Sequence, residues 1–235
     1  MPNSPLLSLV FAAPLLVAAP AHAKPAPKAV DLSKSVTDVR IDSPAGEVTI
    51  TTATGQPYRA SIRARESGSN SSDSFLEACQ ALASIGVQGA ALVVKVAPST
   101  SSDLDDCSYD INANIPANAD VAIRQYGLQA SLNGDFKSVT TRTNAVRLLL
   151  QGHATALSME SQAVDADISF AQVNHNETID ISSKALNATL DFGGAQPISY
   201  SAEGVASWVD SQLPSTPGAK PSIRLKAMSV RATIR

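Results

Sequence analysis

The sequence predicts an all-β fold, a β-solenoid of stacked short strands with a repeat of about 18 residues and one short helix. Three observations predict it. Apolar and polar residues alternate with period two over much of the chain, the pattern of strands with one buried face. The alternation recurs in equivalent segments beginning at Leu128, Val146, Val164 and Leu186, at spacings of 18, 18 and 22 residues. Helical spacing of apolar residues is confined to one stretch near residue 76.

The repeat is clearest between Tyr109 and Tyr200. Two residues after each start the column reads Ala130, Leu148, Ala166 and Ala188; two further on it reads Leu132, Leu150, Ile168 and Leu190. The residues between are mostly polar, as in Gln129, Arg147, Asp165 and Asn187. A second strand in each unit begins at Val121, Val139, Leu157 and Ile179, with the same spacings, and the four extra residues of the third unit fall in a loop at Asn174 to Glu177. Ile111-Ala113-Ile115 is an earlier imperfect copy and Ile198-Tyr200 a later half-copy. No unit can bury its own apolar face, so neighbours must stack into one core. Parallel coils and an antiparallel meander or sandwich of hairpins both fit, and the constant direction of the columns favours the coils.

Upstream, residues 1–23 have the form of a secretory signal peptide: an apolar run from Leu6 to Ala19, then Ala21-His22-Ala23, with cleavage expected after Ala23. The run is shorter than the roughly 20 apolar residues a membrane helix needs. Met1 to Pro5 holds no Lys or Arg, a departure from the usual signal. Residues 24–34 read as a linker, because prolines 25 and 27 bar helix and central strand. Residues 35–235 then form one β-rich domain with its repeat core at 109–200. Strands are expected around Val39 and Ile41, at Val48 and Ile50 after the Ser43-Pro44-Ala45-Gly46 turn, from Tyr58 to Arg65, and from Ala91 to Val96. The helix is expected from Asp73 to Ser84, capped by Ser72 or Asp73, with Phe75, Leu76, Cys79 and Leu82 on its apolar stripe. The first strands, the helix and the C-terminal strand are expected to cover the open ends of the stack.

Aromatic residues make up 4% of the chain, so the core must be built of Ala, Val, Ile and Leu. A net charge of −3 is too weak to steer nucleic acid. No later segment is long and apolar enough to span a membrane as a helix, which leaves a periplasmic or secreted chain. In an oxidising compartment Cys79 and Cys107 are candidates for a disulfide. The bridge would add roughly 3.5 kcal/mol on the chain-entropy model.

Chemistry is sparse. His153 follows Gly152 in a turn and His175 lies in the inserted loop, and both read as solvated, with no zinc-ligand spacing. There is no nucleophile elbow, Walker loop or dinucleotide fingerprint. Asp103, Asp105 and Asp106 form the densest acidic cluster but lack the other elements of a helix-loop-helix calcium site. Asp165, Asp167 and Asp191 point outward, the placement a polysaccharide-cleaving β-helix would need, with Arg147 as the nearby base. Trp208 reads as a cap on the core. No catalytic, cofactor or metal residues are assigned, and no cofactor is expected.

The signal peptide, the opening pair ending Ser43-Pro44-Ala45-Gly46-Glu47-Val48-Thr49-Ile50, the stacked strands and the junction Ile115-Pro116-Ala117-Asn118-Ala119-Asp120-Val121 together resemble the bacterial putative adhesin family of unknown function, relatives of the auto-transporter adhesin head or GIN-type domain. The resemblance spans roughly residues 36–205 and implies an exported, solenoid-like domain with no established catalytic site. The expected role is therefore non-enzymatic binding of an envelope protein or glycan through polar strand faces. A glycan-active enzyme and a structural or regulatory periplasmic module are the alternatives. Oligomeric state is left open.

Overall fold

The computed structural model describes residues 25–65, 72–99 and 106–235. The cleavage site after Ala23, together with Asp103 and Asp105, lies outside them. Chain order begins β1 (Lys28–Asp31), β2 (Asp38–Asp42), β3 (Ala45–Thr51) and β4 (Arg59–Arg65), then helix α1 (Asp73–Leu82), β5 (Ala83–Gln88), β6 (Ala91–Val96) and β7 (Ser108–Asn114). The long extended run β8 (Ala119–Glu160) follows, then β9 (Ala163–Phe170), β10 (Thr178–Ser182), β11 (Ala185–Asp191), β12 (Ser199–Glu203), β13 (Ala206–Ser211), β14 (Ser222–Lys226) and β15 (Ser229–Ile234). The architecture is all-β with one short helix.

Two series of strands share one core. In the first, β6, β2 and residues 120–124 of β8 are parallel neighbours; farther along, residues 156–160 of β8, β10, β14 and β12 are parallel too. In the second, β7, β3 and residues 127–133 of β8 are parallel, as are residues 145–152 of β8, β9, β11, β15 and β13. The middle of β8 ties the groups together. Ser138 and Lys137 bond back to the carboxylate of Asp120, and Thr143 bonds forward to Ser161.

The columns read from sequence are physical columns. Val146, Val164 and Leu186 stand side by side, as do Leu148, Ala166 and Ala188, then Leu150, Ile168 and Leu190. All nine are buried. Leu157 and Ile179 pair likewise in the first series. Between the buried residues, every second side chain of β9 is exposed. Burial of Val, Leu and Ile side chains contributes about 1.5–3 kcal/mol each, so this alternation holds the stack.

Register also explains two glycines. Gly134 and Gly152, 18 residues apart, have φ of +124° and +131°, and a Cβ on Gly152 would sit 2.2 Å from the carbonyl oxygen of Gly134. Only a residue without a side chain permits that approach.

Several expectations are corrected. The segment 24–34 is not simply a linker, because β1 lies within it and pairs antiparallel with β4. Prolines 25 and 27 precede the strand, leaving its amides free to pair. The helix ends at Leu82 rather than Ser84, since Ala83 and Ser84 open β5, antiparallel to β6. The ends of the stack are built differently too. Strands β2 and β3 lie inside it, between β6 or β7 and β8. The C-terminal β15 is likewise internal, between β11 and β13. One end is covered by β1, β4, β5 and α1, while β12 and β13 form the other. Ser72 caps α1, its hydroxyl accepting from the Phe75 amide at 3.2 Å.

Cys79 on α1 and Cys107 just before β7 form a disulfide, with Cα atoms 5.7 Å apart. Beside it Tyr109 is buried, and its hydroxyl donates to the Cys79 carbonyl at 2.9 Å. Burial pushes that hydroxyl's pKa up to about 12. The bridge thus ties the covering helix to the first strand of the second series.

Candidate functional site: a polar groove along one corner

Where the chain passes from the first series to the second it turns a corner, and successive turns present homologous triplets. Arg124-Gln125-Tyr126, Arg142-Thr143-Asn144 and Glu160-Ser161-Gln162 line one groove of about 660 Å³, with Asp42 and Ser43 beside them. Extended backbone sends alternate side chains to opposite faces. The first and third members of each triplet therefore project toward the groove, and the middle one turns in.

The inward members hold the corner together. Gln125 is buried and its amide donates to the Ser43 hydroxyl at 2.6 Å. Thr143 Oγ1 donates to Ser161 Oγ at 3.0 Å, and Ser161 in turn donates to the Asn144 carbonyl at 3.0 Å. Backbone bonds from Gln162 to Asn144 and from Tyr126 to Pro44 fix the spacing between rungs.

The outward members give the groove its chemistry. Two guanidinium groups, Arg124 and Arg142, face two carboxylates, Asp42 and Glu160, and Arg142 Nε lies 3.5 Å from Glu160 Oε2. Asn144 and Gln162 offer both donors and acceptors. Tyr126 is 73% exposed, a large aromatic left standing in solvent. Such a surface can make many directional hydrogen bonds and one ring contact.

The residues singled out in the sequence do not gather here. Asp165 and Asp167 are exposed on the second series, as expected, and Asp191 lies on the same outward face, half-buried. Asp165 accepts from the Asn187 amide at 2.8 Å and lies 3.8 Å from Arg147 Nε. Asp191 lies 3.1 Å from Arg235 Nε. Among the described residues no group of three His, Cys, Asp or Glu side chains is placed to hold a metal ion. No described helix is long and apolar enough to cross a membrane.

Two readings are overturned. His153 is not a solvated turn residue: it is buried, edge-on to Phe170, with Nε2 at 3.0 Å from Glu177 Oε1. The loop 171–177 lies across it. Glu177, fully buried, also accepts from the amides of Asn174 and Asn176. Burial by itself would raise the Glu177 pKa, but the backbone amides of Asn174 and of Glu177 itself, with His153, outweigh it and hold the carboxyl below its ordinary value. His175 is exposed, as expected, and bonds to the Lys220 carbonyl. Trp208 does not cap the core. It is 53% exposed on β13, with the Arg231 guanidinium 5.6 Å from its ring.

The groove residues escaped the sequence reading although their signal was present. Positions 124, 142 and 160, and 126, 144 and 162, keep the same 18-residue interval as the apolar columns. Polar columns carry no burial signature, so the interval alone does not mark them as a site.

No family model matches the chain, and no curated protein sequence matches it. Solved structures do. A "putative cell adhesion protein" from Clostridium sporogenes ATCC 15579 is similar at 12% identity and a TM-score of 0.46, over 90% of this chain and 99% of that one. A "putative adhesin" from Bacteroides fragilis NCTC 9343 is similar at 11% identity and a TM-score of 0.46, over 89% and 95%. Another "putative adhesin", from Parabacteroides distasonis ATCC 8503, gives 8% identity and a TM-score of 0.34.

Proposed function

We propose that this chain is an exported β-solenoid, adhesin-like, that binds a component of the bacterial envelope or surface and performs no catalysis. Parallel sheets in α/β proteins are covered on both faces. Here parallel strands keep one wet, polar face, which suits coils wound around a single core. The disulfide suits an oxidising compartment such as the periplasm or the cell exterior.

The observation that carries the binding reading is the corner groove. Homologous polar triplets on successive rungs, with Tyr126 exposed among them, form a hydrogen-bonding array directed at solvent. The enzymatic alternative places its acids at Asp165 and Asp167. Asp165 is already engaged by Asn187 and Arg147.

Fluorescently labelled protein added to bacterial cells and isolated envelopes tests the proposal, with saturable binding as the expected result. In parallel, reducing-end release from a polysaccharide panel is measured for the wild type and for Asp165→Ala and Asp167→Ala. Turnover by the wild type that either variant abolishes, with folding intact, overturns the non-enzymatic reading.

A further inference from the structure

We propose that the groove over Tyr126, Asn144 and Gln162 is a subsite for a neutral, extended glycan chain lying along the stacking axis. The inference rests on the binding role proposed above and names its ligand class.

Charge comes first. The lining carries charges of both signs, two guanidinium groups and two carboxylates, with Lys184 at its rim donating to Gln162 Oε1 at 3.2 Å, so no single-sign field selects a polyanion or a polycation. The Asn144 amide adds both donors and an acceptor, and Gln162 adds its N–H donors while its oxygen accepts from Lys184. A ligand matching this surface carries hydroxyls, each both donor and acceptor, and no charge.

The ring comes next. An exposed phenol offers a flat apolar face beside polar partners, the amphipathic surface that an aromatic side chain supplies. A pyranose has the complementary shape, with C–H groups on its faces and hydroxyls on its rim. Tyr126 therefore supplies the stacking contact and its neighbours on the rungs the hydrogen bonds.

Periodicity decides the orientation. Rungs of a parallel stack repeat at about 4.8 Å, comparable to the advance per sugar of an extended β-linked chain. Three rungs contribute homologous triplets, so successive sugars meet similar partners. A protein strand is the poorer match. The backbone at the corner is already hydrogen-bonded between turns, as at Tyr126 and Gln162, and offers no free ladder for a peptide to pair with.

The test is calorimetric titration of the purified protein with cellohexaose and chitohexaose, with hexagalacturonate as the anionic counterpart. Saturable binding of at least one neutral hexamer is expected, with affinity rising from disaccharide to tetrasaccharide and then levelling. Tyr126→Ala should weaken binding by about tenfold or more, Tyr126→Phe by no more than about threefold. Asp165→Ala, on the other series, should change nothing. No binding of either neutral hexamer, tighter binding of hexagalacturonate, or equal affinity in wild type and Tyr126→Ala would overturn the inference. Circular dichroism of each variant guards against misfolding. Cell and envelope binding separates the two claims: if Tyr126→Ala binds envelopes as well as wild type, the groove assignment fails and the binding role stands. If wild type does not bind envelopes, the binding role itself fails.

Discussion

Nε2 of His153 lies 3.0 Å from Oε1 of Glu177, both side chains buried although 24 residues apart in the chain. The pair anchors the longest departure from the 18-residue interval. The loop over 171–177 carries the extra residues, and Glu177 collects two of its amides. Both bonds are part-buried, and hydrogen bonds to a charged group contribute about 1.5–3 kcal/mol each.

Glu177→Gln should therefore lower stability by about 2 kcal/mol near neutral pH. The wild-type pH dependence follows from the depressed carboxyl. A folded-state value below the ordinary 4.5 contributes stability that is complete above that value and is lost as pH falls through the folded value. Urea midpoints measured from pH 6 to pH 3 should fall more steeply in wild type than in Glu177→Gln below about pH 4.5. Parallel curves would mean that the carboxylate does not hold the loop.

The Cys79–Cys107 bridge makes a second prediction. Reduction, or Cys79→Ala with Cys107→Ala, should cost about 3.5 kcal/mol on the loop-entropy model. The loss should be felt first where α1 covers the end of the stack, because Tyr109 bonds to the Cys79 carbonyl there. Intact mass before and after reduction should differ by two hydrogens, and amide exchange should rise in α1 and β5 ahead of β9 and β11. Uniform exchange across the chain would contradict this.

Glycine 152 tests how closely the turns approach. Gly152→Ala must displace the Gly134 carbonyl or break the turn, and should cost about 2–4 kcal/mol. A Cβ on Gly127 meets nothing within 4 Å, so Gly127→Ala should stay within about 0.5 kcal/mol of wild type. Equal effects in thermal melts of the two variants would mean that the turns are not stacked as described.

Much of this was legible from sequence. The columns through Leu148 and Leu150, the helix around Cys79 and the pairing of Cys79 with Cys107 follow from alternation, helical spacing and compartment. The order of strands was not. Strands β2 and β3 take neighbours from both β6–β7 and β8, far along the chain, and period-two patterning records which face is buried without naming the strand beside it. His153 was misread because Gly152 beside it signals a turn. That glycine instead permits close packing of two turns, and the buried partner comes from a distant loop. Trp208 was misread because a lone tryptophan suggests a core, whereas β13 is the last strand of its series and leaves the ring against Arg231.

The register of the turns underlies both the core and the groove, and one distance tests it directly. Arg147 pairs with Asp165 and Asp165 with Asn187, so nitroxides on cysteines introduced at 147 and 187 sit two rungs apart. In parallel coils the backbone separation is about 10 Å, and dipolar broadening in the electron paramagnetic resonance spectrum should be strong. An antiparallel meander would place an intervening strand between each pair and double the separation to about 19 Å, with a nearly unbroadened spectrum. That second result would contradict the stacked, parallel arrangement from which the groove is built.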